Sequence, residues 1–134
     1  MTLALDTSGL LAVAVDGDQR QVALDALDDD PVWCASALAL TEALPAIDRL
    51  TDERILRADL EDAVRLAWDR IHVVPVDQRC LDRAAALSRE QPVRLIDAIH
   101  LAAAERLPRP VRFLTFDPAQ IAVALGLGFE VVSA

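Results

Sequence analysis

Four acidic residues, Asp6, Glu42, Asp97 and Asp117, stand where a carboxylate is hard to place. Asp6 closes the apolar run LAL (3–5), and Asp117 closes FLTF (113–116). Glu42 and Asp97 interrupt ALALTEALPAI (37–47) and RLIDAIHLAAA (94–104), which are otherwise dominated by Ala, Leu and Ile. Burying an unpaired carboxylate is costly. Taken singly, each has an ordinary reading. Asp6 and Asp117 can cap the helices that follow them, and Pro118 fits a first helical position. Arg94 and Asp97, spaced i, i+3, can pair on a polar helix face. Glu42 can lie on an exposed edge. Taken together they suggest a shared site. Carboxylates brought together repel and raise one another's pKa, and a divalent cation relieves that repulsion. Oxygen-only ligands suit Mg²⁺ or Mn²⁺ rather than zinc, and such ions serve phosphoryl chemistry. The hydroxyls of Ser8 and Thr115 lie two residues from Asp6 and Asp117, close enough to orient the carboxylates or a water.

The elements that must position these acids follow from pattern and punctuation. Short apolar runs at 3–6, 32–36, 72–76, 111–116 and 129–132 read as strands. Between them lie helical patterns at 18–27, with Asp18 as N-cap, and at 37–50, with Pro45 as a kink or break. A long amphipathic helix runs from about Thr51, its expected N-cap, to residue 71. Further helices are expected at 77–90, capped by Asp77, at 94–104, and at 118–128, ending in glycine. The acid run 28–30 is expected to be a solvated loop. Strands alternating with helices imply an α/β chain with a parallel sheet covered on both faces. In such sheets ligands bind beyond the C-terminal strand ends, where Asp6 and Asp117 fall. No repeat or linker interrupts the pattern, so one domain over 1–134 is expected.

Composition narrows the chemistry. The net charge is −9, with fourteen acids against four arginines in residues 1–62 and eight against nine in 63–134. Such acidity repels nucleic acid at long range. A phosphate-bearing substrate would need the Arg-rich stretch 79–112. All thirteen basic residues are Arg, which excludes a Walker-type phosphate loop and Schiff-base chemistry. Cys34 and Cys80 match no metal or redox pattern and are expected to be buried thiols. No run approaches a membrane span, and the N-terminus lacks a basic leader, so a cytoplasmic protein is expected. Trp33 and Trp68 are expected in the core. His100 lies one turn beyond Asp97 and reads as a packing or hydrogen-bonding residue rather than a general base.

DTSGL (6–10), TE (41–42), IDAIHLAAA (96–104) and TFD (115–117) resemble the PIN-domain ribonucleases, and among them the small VapC-like toxins of toxin–antitoxin pairs. The resemblance runs from the first strand to the last. It implies a three-layer α/β/α fold with a five-stranded parallel sheet. It implies that Asp6, Glu42, Asp97 and Asp117 are a catalytic quartet holding Mg²⁺ or Mn²⁺, with Ser8 and Thr115 as supporting hydroxyls. The activity implied is endonucleolytic cleavage of RNA by a metal-activated water. The partners implied are the RNA, a second copy in a homodimer, and a VapB-like antitoxin docked near helices 37–70. A basic antitoxin side chain would complement the acidic pocket. Arg94, Arg109 and Arg112 are candidates to line the RNA path. Two departures stand out: Pro118 after Asp117 leaves the following loop open, and Gly9 after Ser8 suggests a more mobile first turn.

Other readings weaken on the same residues. A haloacid-dehalogenase-type phosphatase or a signalling receiver domain needs a lysine that this chain lacks. The alternative from another class is a catalytically inactive PIN-fold binding module. Four mutually repelling acids would have no evident use there.

Overall fold

The computed structural model describes residues 1–133. The chain runs β1 (Thr2–Leu5), α1 (Thr7–Ala12), α2 (Asp18–Asp29), β2 (Val32–Ser36), α3 (Leu38–Leu50), α4 (Arg54–Trp68), β3 (His72–Val74), α5 (Gln78–Glu90), α6 (Leu95–Glu105), β4 (Val111–Leu114), α7 (Pro118–Gly126) and β5 (Glu130–Val132). The five strands form one parallel sheet in the order β3-β2-β1-β4-β5. The chain builds outward from β1 to β3, then crosses back through α5 and α6 to lay β4 on the other side of β1. The strand order therefore reverses between β1 and β4, and such a reversal opens a crevice at the C-terminal strand ends.

Period-two alternation divides the core into two layers. Leu3 and Leu5 of β1 and Leu114 of β4 pack with Leu10, Ala39, Ala43, Ile47 and Val64 on the face covered by α1–α4. Ala4 and Phe113 point the other way, toward Leu87, Ala98, Leu101 and Val123 of α5–α7. Residues Asp97–Ala104 of α6 are all buried, and four of them are alanines. Small side chains let this helix lie close beneath the sheet. Cys34 and Cys80 are buried free thiols, as expected. No helix among the described residues is long and apolar enough to cross a membrane.

Several local expectations change. Pro45 does not break α3. It lies on an exposed turn, so water can bond the carbonyl that loses its N–H partner. Thr51 does not cap α4; the Glu53 carboxylate accepts from the backbone N–H groups of Ile55 and Leu56, while the Thr51 hydroxyl accepts from Glu53 N. Gly17, with φ +142°, turns the chain into α2 one residue before Asp18. The acid run is not wholly solvated, because Asp30 is buried and accepts from Arg112 Nη1 at 3.2 Å.

Gly9 is the most constrained of these positions. Its turn is buried rather than loose, and its N–H donates to Asp6. A Cβ there would stand 2.7 Å from the Leu114 carbonyl oxygen and 3.1 Å from Leu114 Cγ. Neither the end of β4 nor α1 can retreat without moving Asp6. Gly9→Ala is expected to destabilise the fold by about 2 kcal/mol, the cost of overpacking a rigid contact, read as a lower midpoint in urea denaturation with an unchanged m value.

Candidate active site

Each of the four acids is delivered by a different element to the C-terminal end of the sheet. Asp6 follows β1 and caps α1, with its Oδ1 accepting from Gly9 N at 2.8 Å. Asp117 follows β4 and caps α7, accepting from Ala119 N at 3.0 Å. Asp97 lies in the first turn of α6. Glu42 projects from α3. Helix N-termini favour negative charge, so three of these positions suit a carboxylate before any partner is counted. All four line one cavity of about 240 Å³, together with Thr7, Ser8, Arg49, Arg94, His100 and Gln120. The capping roles of Asp6 and Asp117 and the Arg94–Asp97 pair all occur at the same place, but Asp97 is buried rather than on a polar face.

Asp6 is the most deeply set of the four, at 1% exposure. Burial pushes its carboxyl above the usual aspartate value, against hydrogen bonds that pull it down. Its Oδ1 also accepts from Ser8 Oγ at 2.7 Å, and its Oδ2 from Thr115 Oγ1 at 2.6 Å and Gln120 Nε2 at 2.8 Å. Ser8 Oγ in turn accepts from Phe116 N, and Thr115 Oγ1 from Asp117 N. The two hydroxyls thus tie the turn after β1 to the turn after β4. Asp97 accepts a bidentate pair from Arg94 at 3.0 Å and a third bond from Gln120 Nε2 at 3.1 Å. The Arg94 side chain is 73% exposed, so its hold on Asp97 is an outer one.

Glu42 is oriented from behind. Its Oε1 accepts from the Thr7 hydroxyl and lies 3.1 Å from His100 Nε2, while His100 Nδ1 meets Ser36 Oγ at 2.9 Å. The His100 ring is buried and bonded at both nitrogens, which fits a group that positions Glu42. The bond from His100, with Thr7, holds the Glu42 carboxyl below the usual glutamate value against a smaller effect of burial.

Among the described residues, no three His, Cys, Asp or Glu side chains stand close enough to grip a metal ion in their present rotamers. Arg94, Gln120 and the hydroxyls engage the acids instead.

Two arginines expected near the site lie elsewhere. Arg112 is the second residue of β4 and pairs with Asp30 at 3.2 Å and Glu130 at 3.6 Å. Arg109 precedes β4, donates to the Leu127 carbonyl at 2.7 Å and covers the Phe129 ring. Neither arginine lines the cavity. Sequence reasoning missed Thr7, Ser36, Arg49 and Gln120. For Gln120 a signal existed: it is the lone polar residue of PAQIAVALGLG, as Glu42 is the lone acid of ALALTEALPAI (37–47).

The His100 network yields a signed expectation. His100→Leu should destabilise by about 2 kcal/mol at pH 7, since it strands buried polar partners. The folded state favours ionised Glu42, so that part of the stability exists above pH 4.5 and fades as pH falls through the lower folded value. The gap between wild type and variant in urea denaturation should therefore narrow below pH 4.5.

The comparisons with known proteins agree with this fold. No protein of curated function matches the chain. Among solved structures, a toxin–antitoxin complex from Klebsiella pneumoniae matches with TM-score 0.70 and 24% identity, covering 98% of this chain and 96% of the other. VapBC-5 from Mycobacterium tuberculosis matches with TM-score 0.68 and 20% identity, over 99% and 98%. VapBC2 from Rickettsia felis, bound to a promoter DNA fragment, matches with TM-score 0.68 and 13% identity, over 100% and 99%. At these identities the likeness establishes the fold. The family model of the PIN domain matches residues 3–126, nearly the whole chain, and the chain belongs to the PIN-domain family.

Proposed function

We propose that this protein is a divalent-cation-dependent endoribonuclease and the toxin of a VapBC-like toxin–antitoxin pair. The observation that carries the reading is the convergence of Asp6, Glu42, Asp97 and Asp117 on one cavity at the sheet's C-terminal end. The donor chemistry fits Mg²⁺ or Mn²⁺: four carboxylates from four elements, no thiolate, and an imidazole whose nitrogens are both engaged. When bound, such an ion would polarise a phosphodiester and activate water for hydrolysis.

The chain's own residues supply the rest. The donors around Asp6 fix its plane, so its geometry is set before substrate arrives. His100 and Thr7 aim Glu42. Arg94 and Arg49 line the cavity and give an RNA phosphate a cationic approach within an acidic protein. Ser8 and Thr115 hold the β1 and β4 turns together, keeping Asp6 in register with Asp117.

An antitoxin partner is supported by the toxin–antitoxin complexes among the structural neighbours and by apolar residues left outward on α3 and α4. Leu50 of α3 and Ile55 and Leu56 of α4 are exposed, Ile55 at 72%. A cationic side chain from such a partner would complement the acidic cavity. A homodimer belongs to the same proposal.

The test is cleavage of a bulk RNA pool with Mn²⁺ or Mg²⁺, with EDTA and Asp6→Asn as controls. Cleavage is expected from the wild type with metal, and a loss of at least about a hundredfold with EDTA or in Asp6→Asn. A folded wild type that cleaves no RNA and arrests no cells on expression would favour the inactive binding module.

A further inference from the structure

Among the described residues, Asp6 has no acceptor site left for a cation. A carboxylate offers about four lone-pair directions, and on Asp6 Ser8 Oγ, Gly9 N, Thr115 Oγ1 and Gln120 Nε2 fill them. An ion that ligates Asp6 must therefore displace a donor. Three of the four are tied elsewhere. Gly9 N belongs to the first turn of α1, Ser8 Oγ also accepts from Phe116 N, and Thr115 Oγ1 also accepts from Asp117 N.

Gln120 differs. Its Nε2 spends its two hydrogens on Asp6 Oδ2 at 2.8 Å and Asp97 Oδ1 at 3.1 Å. Among the described residues its Oε1 meets no hydrogen-bond partner, and the residue is only 2% exposed. Buried amides are almost always bonded at both ends. By hydrogen bonding, then, the two carboxylates alone hold this side chain, and it lies between them.

We infer that Gln120 is a neutral stand-in for the cation. Its amide bridges Asp6 and Asp97 while no ion is bound, and it withdraws when an ion joins them. The inference rests on the divalent-cation reading above. It makes Gln120 the residue that sets cation affinity, because its two hydrogen bonds are lost each time an ion enters. Removing the amide should therefore tighten binding, the opposite of what loss of a merely structural side chain would do.

The experiment is a Mn²⁺ titration at neutral pH, followed by the EPR signal of the free ion, on wild type, Gln120→Met and Gln120→Ala. Methionine keeps most of the volume without a donor, and alanine leaves room for water, so either folded variant decides the matter. Binding is expected to tighten about tenfold, as when a competing conformation is removed, while the metal-free variants melt several degrees lower. Wild-type binding with unchanged or weaker binding in the variants would overturn this inference alone. No Mn²⁺ binding by any of the three proteins would overturn the cation reading and this inference with it.

Discussion

The structure turns on one buried carboxylate. Asp6 stands at the end of the central strand, and a charge so placed is tolerated only when donors surround it. Those donors come from α1, from the turn after β4 and from α7. Satisfying Asp6 therefore fixes how the first turn of the fold meets the last. The close approach of Gly9 to the Leu114 carbonyl is part of the same constraint, because any residue with a Cβ would wedge these elements apart.

The remaining acids reuse the devices that start helices. Asp117 caps α7, and Asp97 sits in the first turn of α6. A cap is a local feature that many helices share. What makes a site of these is the topology. The reversal of strand order between β1 and β4 brings the helix starts that follow these strands to one crevice, and α6, which precedes β4, adds its own N-terminus there. Glu42 is the exception. It comes from the middle of α3, and it needs His100 and Ser36 behind it to face the same way.

Most of this was legible in the sequence. Period and punctuation gave the strand and helix order and the parallel sheet, and the acids stood out against apolar neighbours. The parts that could not be read depend on which side chain reaches which. Arg109 and Arg112 are near Asp117 in sequence, but a strand separates the two ends of the sheet, and they pair at the wrong one. Thr51 and Glu53 both offer capping oxygens, and the choice between them depends on how the chain leaves α3. Pro45 reads as a kink or a break, and only the structure shows that α3 runs on through it where it faces water. Ser36 lies in an unremarkable strand, and only the fold places it under His100.

The sheet ends on short strands at both sides. β3 and β5 have three residues each. An exposed strand edge can recruit another chain by main-chain hydrogen bonding, yet here an incoming strand would find only three residues to pair with. Growth of the sheet from molecule to molecule is thereby discouraged at both margins. Association is left to the helices, whose outward Ile55, Leu56 and Leu66 on α4 suit an apolar helix or extended segment laid across them. The brevity of two strands thus biases the molecule toward side-chain-specific partners over generic stacking.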